Sequence, residues 1–136
     1  TATVLDEEMA VRVARHQEVR PSSWLTLEEP VYLGKAIRSI NNADVVLVDC
    51  LTLWLTNLLM LADVKELEVQ IDDFESAVKA SKAQLILVSN ETNMGIVPLG
   101  DLTRRYCDQV GLLHQRIAKI CDKVELIVAG LPLILK

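Results

Sequence analysis

Hydrophobic positions fall into two kinds of pattern along the chain. Three short aliphatic runs, Val45-Val46-Leu47-Val48, Leu85-Ile86-Leu87-Val88 and Val124-Glu125-Leu126-Ile127-Val128, have strand length and are rich in β-branched residues. The first two are apolar at every position, the pattern of strands covered by helices on both faces. Between and before them the apolar spacing changes to three and four. Val64, Leu67, Ile71, Phe74 and Val78 trace one amphipathic helix, and Leu102, Tyr106, Val110, Leu113, Ile117 and Ile120 trace another. Leu51–Leu61 reads as a buried helix. Asp6, followed by Glu7 and Glu8, is an N-cap with acids in the first turn, and its helix runs to about Gln17, stopping before Arg20-Pro21. Pro30 suits the first turn of a further helix carrying Leu33, Ile37 and Ile40. Strands alternating with helices imply parallel βαβ units and a doubly wound α/β sheet.

Length and composition narrow the class. The 136 residues make one domain, 1–136, with 51% apolar and 24% charged positions, which excludes intrinsic disorder. Aromatics are 4%, so an aliphatic core is expected. A net charge of −5 disfavours a nucleic-acid surface, and no apolar run is long enough for a membrane span: Leu51 to Ala62 is broken by Thr52, Thr56 and Asn57. Cys50, Cys107 and Cys121 form no CxxC pair, which disfavours a zinc site or disulfide framework and fits a reduced, cytoplasmic setting. The chain opens mid-pattern at Thr1 rather than Met and reads as lacking its beginning.

In an open parallel sheet, ligands sit beyond the carboxyl ends of the strands. Asp49-Cys50-Leu51-Thr52 follows the first run, Ser89-Asn90-Glu91 the second, and Ala129-Gly130 the third. Asp49 either caps the next helix or stands where nucleotide-binding folds place a Mg²⁺-side carboxylate. Glu91 is either a solvated loop acid or part of the same site. His16 closes a helix bearing Arg12 and Arg15. A histidine there is favoured by the helix dipole, and its imidazole could equally serve as a nucleophile toward phosphorus, with guanidinium groups nearby. His114, within the Leu102–Ile120 pattern, reads as structural or surface. Neither GxxxxGK[ST] nor GxGxxG occurs in the chain.

The motifs His16-Gln17-Glu18-Val19-Arg20-Pro21 with Trp24 and Glu28, Asp49-Cys50-Leu51-Thr52 with Trp54 and Asn57, and Asn90-Glu91 with Gly95-Ile96-Val97-Pro98 together resemble one family. So do Asp6-Glu7-Glu8-Met9-Ala10, Arg104, Asp108 and the ending from Ala129-Gly130 to Lys136. The chain is similar throughout to the bifunctional adenosylcobinamide kinase / adenosylcobinamide-phosphate guanylyltransferases of cobalamin biosynthesis. The resemblance implies a RecA-like P-loop NTPase fold, a homotrimer, and adenosylcobinamide and its phosphate as substrates. It implies GTP, or ATP for the kinase step, with Mg²⁺. By position, His16 is the residue that accepts GMP. Gln17, Glu18, Val19, Arg20 and Glu28 line the nucleotide site, with Asp49 at the nucleotide and near Mg²⁺. The family's first strand and its GxRSGKS phosphate loop would precede Thr1, a strand–loop–helix piece of roughly 30 residues. The expectation is therefore a chain without that loop, whose backbone N–H groups and Lys hold phosphates. Asn93 stands where the family usually has Gly, and Asn tolerates a left-handed conformation better than other side chains. Two rival readings are a non-catalytic assembly subunit and a generic nucleotide-binding α/β protein without the His16 chemistry.

Overall fold

A computed structural model describes residues 1–3, 6–61 and 64–136, with the side chain of Val64 left aside. The last residue of the apolar run, Ala62, lies outside the described residues. The chain divides into two compact units, Thr1–Glu91 and Thr92–Lys136.

The first unit contains α1 (Glu7–Glu18), α2 (Leu33–Ser39), β1 (Val45–Asp49), α3 (Leu51–Leu61), α4 (Val64–Ala80) and β2 (Gln84–Val88). β1 and β2 pair in parallel, Val45 opposite Gln84 through Asp49 opposite Val88, so both strands end at the same edge. α3 and α4 form the crossover between them. The expected cover on both faces is present on one. Val46, Val48, Leu85 and Leu87 are buried or half-buried, whereas Val45, Leu47, Ile86 and Val88 on the opposite face are exposed. Both intervening helices belong to a single crossover, and a single crossover packs on one side of its strands.

The core of this unit is built from α3 and α4. α3 buries Leu51, Thr52, Trp54, Leu55, Leu58 and Leu59, which matches the apolar run that specifies it. α4 presents Leu67, Gln70, Ile71, Phe74 and Ala77, a stripe at three- and four-residue steps. The core is less purely aliphatic than composition implies. Trp54 and Phe74 are fully buried, with ring centroids 4.9 Å apart and planes tilted by 55°, so two of the few aromatics stand at its centre. α2 starts at Leu33, later than Pro30 suggests, because the Glu29 carboxylate accepts from the N–H groups of Val31 and Tyr32 at 2.9 Å each and turns the chain before the helix begins. Ile40 is its C-cap, so only Leu33 and Ile37 of the expected face lie within the helix; both are buried, with Gly34. α2 and α4 pack together, and Arg38 forks onto the Asp73 carboxylate at 2.5 and 2.7 Å.

The second unit holds α5 (Asp101–Ile120), β3 (Glu125–Val128) and β4 (Leu131–Ile134). α5 buries Val110, Leu113 and Ile117, but Leu102 at its first turn is exposed. The third aliphatic run is a strand, yet it does not extend the parallel pair. β3 pairs antiparallel with β4, Val128 opposite Leu131, across a two-residue turn. Ala129 and Gly130 have φ of 51° and 78°, the left-handed conformation that such a turn requires at both positions. Ala129-Gly130 is thus a hairpin tip rather than part of the β1–β2 edge. Pro132 hides β4 from a sequence reading, since proline is uncommon in strand interiors. The Lys136 ammonium donates to the carbonyls of Ala118, Lys119 and Cys121 at 3.1, 3.2 and 2.6 Å, satisfying the open end of α5.

A Cβ on Gly34 would lie 2.7 Å from the Asp73 carbonyl oxygen, while one on Gly95 would meet nothing within 4 Å. Gly34→Ala is therefore expected to destabilise the fold by about 1–3 kcal/mol, by forcing α2 off α4, and Gly95→Ala to leave the melting temperature nearly unchanged. Thermal denaturation of both variants checks this.

Candidate active site

The site forms where the end of α1 meets the carboxyl edge of the parallel pair. Asp6 accepts from Met9 N–H at 2.7 Å and starts α1, with Glu7 and Glu8 in the first turn and Arg15 and His16 in the last. Val19 caps the helix, and Pro21 lies two residues on. His16 therefore occupies a helix terminus whose carbonyls already favour positive charge.

His16 Nδ1 lies 3.9 Å from Asp49 Oδ2, with the imidazole 68% and the carboxyl side chain 35% exposed. This joins two residues 33 positions apart, one from the last turn of α1 and one from the last position of β1. With Nδ1 turned toward the carboxylate, Nε2 is the ring nitrogen left to meet a substrate. Gln17 Nε2 donates to Glu28 Oε1 at 2.9 Å, so two of the sequence-predicted nucleotide residues contact each other beside His16. Arg20 reaches Thr26 Oγ1 at 3.3 Å within the same loop. Glu18 and Val19 are exposed at the helix end. Arg12 bonds Glu8 at 2.7 Å, so its guanidinium is engaged one turn before His16.

The strand ends are cross-linked behind this pair. Asn90 Nδ2 donates to Thr52 Oγ1 at 3.1 Å, and Cys50 Sγ lies 3.1 Å from the same hydroxyl. Thr52 is buried, and its three-way contact satisfies a hydroxyl that would otherwise be costly there. Thr1 Oγ1 accepts from Cys50 N–H and donates to the Cys50 carbonyl, both at 2.8 Å, and the Thr1 nitrogen donates to the Asp49 carbonyl at 3.2 Å. Of the expected edge residues, Asp49, Thr52 and Asn90 are brought together. The sequence reading assigned no part to Thr1 or Asn57. The available signal is the spacing of Cys50, Trp54 and Asn57, which places a thiol and two polar side-chain donors on one face of an otherwise apolar helix, where each must find a partner.

The family resemblance implies magnesium. Among the described residues no cluster of three His, Cys, Asp or Glu side chains is present that would form a self-sufficient cation site. Asp49 supplies a partly exposed carboxylate at a strand end, which fits the mode in which Mg²⁺ takes one protein carboxylate and fills its other positions with water and substrate phosphates. Elsewhere, desolvation pushes the Cys121 thiol above its ordinary pKa, Lys136 opposing and Asp122 reinforcing the shift. Among the described residues, no helix is long and apolar enough to cross a membrane.

The described frame is thus that of an α/β protein with a carboxylate at a strand end and an imidazole at the end of a helix beside it. Comparison with known proteins makes the class specific: residues 1–135 match the cobinamide kinase / cobinamide phosphate guanyltransferase family, and the chain belongs to it. It is 49% identical over 137 residues to a bifunctional adenosylcobalamin biosynthesis protein, CobP, of Pseudomonas aeruginosa, covering all of this chain and 79% of that one. It is 33% and 35% identical to the bifunctional CobU proteins of Escherichia coli and Salmonella typhimurium, covering 83% of each. The protein is thus an enzyme of cobalamin biosynthesis, of a family that is both kinase and nucleotidyltransferase.

Asp49→Asn keeps the size of the side chain and removes its charge. The expected outcome is a loss of turnover of at least about tenfold with a melting temperature within a few degrees of the parent, measured by steady-state kinetics and thermal denaturation. Equal loss of both would assign Asp49 a capping role alone.

Proposed function

We propose that this chain phosphorylates adenosylcobinamide and then transfers GMP from GTP to adenosylcobinamide phosphate through a covalent GMP adduct on His16. The observation that carries the reading is the His16–Asp49 pair, an accessible imidazole held at 3.9 Å from a carboxylate at the ligand-binding edge of a parallel strand pair. Family membership supplies the substrates, and the motif around His16 supplies its role.

In the transfer, the Nε2 lone pair of His16 attacks the α-phosphorus of GTP. A P–N bond forms, the bond to the bridging oxygen breaks, and pyrophosphate leaves with the electron pair. Asp49 faces Nδ1–H and stabilises the positive charge that develops on the ring. A phosphate oxygen of adenosylcobinamide phosphate then attacks the same phosphorus. The P–N bond breaks, adenosylcobinamide-GDP forms, and the imidazole returns to its starting state. Two displacements through an imidazole carrier replace one difficult step between two anions. Gln17, Glu18, Val19, Arg20 and Glu28 border the nucleotide, the Gln17–Glu28 contact fixing a carboxylate able to accept base or ribose hydrogens. Asp49 would hold Mg²⁺ with the nucleotide, where it neutralises phosphate charge.

In the kinase step, the substrate hydroxyl oxygen bonds the γ-phosphorus of GTP or ATP as the bond to the β–γ bridging oxygen breaks, the nucleoside diphosphate leaves and the hydroxyl proton passes to solvent, a reaction governed by positioning and charge. The reading extends to a RecA-like P-loop fold, a homotrimer and a cytoplasmic setting, supported by the resemblance of the whole chain to the family. His16→Ala is expected to abolish the acid-labile adduct formed with α-labelled GTP, while the parent incorporates about one label per chain at saturation. Label persisting in the variant would remove His16 from the mechanism.

A further inference from the structure

Asn57 occupies α3, one turn beyond Trp54, and its motif position carries no role in the chemistry above. Its Nδ2 donates to two carbonyls from distant segments, Thr1 at 2.8 Å and Pro30 at 3.0 Å. Both N–H bonds of the amide are therefore used, each on a different piece of chain.

Each segment leads to one side of His16. From Thr1, the hydroxyl holds both the N–H and the carbonyl of Cys50, and the nitrogen holds the Asp49 carbonyl. Asp49 then faces His16. From Pro30, the chain runs back through Glu29, whose carboxylate folds over Val31 and Tyr32, to Glu28, which is bonded to Gln17, the neighbour of His16. Trp54 reinforces the second arm, its indole N–H donating to the Val31 carbonyl at 2.8 Å. α3 itself is anchored by fully buried Trp54, Leu55 and Leu58, so the amide projects from a helix fixed in the core.

We infer that Asn57 is a positioning residue for the nucleotide site: by bridging the Thr1 and Pro30 carbonyls it sets the Asp49 and Glu28 carboxylates at the spacing that receives a nucleoside triphosphate over His16. The inference rests on the GMP-transfer reading for its assay. Glu28 and Asp49 come from segments that share no strand pairing among the described residues, and the Asn57 amide bonds a carbonyl on the path to each.

Asn57→Leu keeps the branched shape of the side chain and removes both donors. Leu67→Ala, in the buried stripe of α4, serves as a purely structural comparator. In the full chain, adduct formation with α-labelled GTP is measured across GTP concentrations beside thermal denaturation. The Asn57→Leu half-saturation concentration should rise about tenfold, with Leu67→Ala remaining within twofold of the parent whatever its loss of melting temperature. An unchanged half-saturation in Asn57→Leu, or an equal rise in Leu67→Ala, overturns the inference. If Asn57→Leu fails to fold, Asn57→Asp, of the same size and without the donors, is read by the same criterion. If the parent forms no adduct, the GMP-transfer reading fails by itself, and equilibrium binding of GTP to the same variants decides the role of Asn57 by the same tenfold rise in Kd.

Discussion

A buried polar atom must be paired, and α3 shows how much architecture that rule can govern. The helix buries Thr52 and Trp54 and half-buries Asn57 among leucines, so their polar atoms take partners from the protein. Thr52 takes Asn90 from beyond β2, Trp54 takes Val31, and Asn57 takes Thr1 and Pro30. These contacts determine which loops lie beside the strand ends. An all-leucine version of the helix would bury as much surface and specify far less.

The proposed reaction draws on that arrangement. The carboxylate and the imidazole belong to elements with no shared hydrogen-bond ladder, and neither sits in a deep apolar pocket. Phosphorus transfer suits such an open site, because its demands are alignment and charge rather than exclusion of water from a buried general acid. On the proposed reading, the half-exposed Asp49 leaves room for a hydrated cation, and the exposed His16 leaves a ring nitrogen open to a large incoming nucleotide.

Local signals carried most of the secondary structure. Asp6 with its two following acids defined the start of α1, and the stripes of α4 and α5 specified both helices because burial repeats with the helical period. What escaped the sequence was set by chemistry of longer reach. Glu29 folding onto Val31 and Tyr32 delayed α2 beyond Pro30. The Ala129-Gly130 turn, with Pro132 after it, turned the third run into a hairpin strand, since Ala seldom announces a left-handed position. At the site, the motif residues His16, Glu28 and Asp49 were legible one by one. The approach of His16 to Asp49 was not, because it joins residues 33 positions apart, and the Asn57 bonds nearby cross from α3 to segments 27 and 56 residues away.

α1 contributes no buried side chain to either unit. The helix is held by its cap, its Glu8–Arg12 pair and the Gln17–Glu28 contact, so its place depends on solvent-exposed polar contacts more than on buried apolar surface. In the proposed transfer, a carrier residue mounted this way stands clear of the apolar core, so the bulk of nucleotide and acceptor is met by solvent and not by packed side chains.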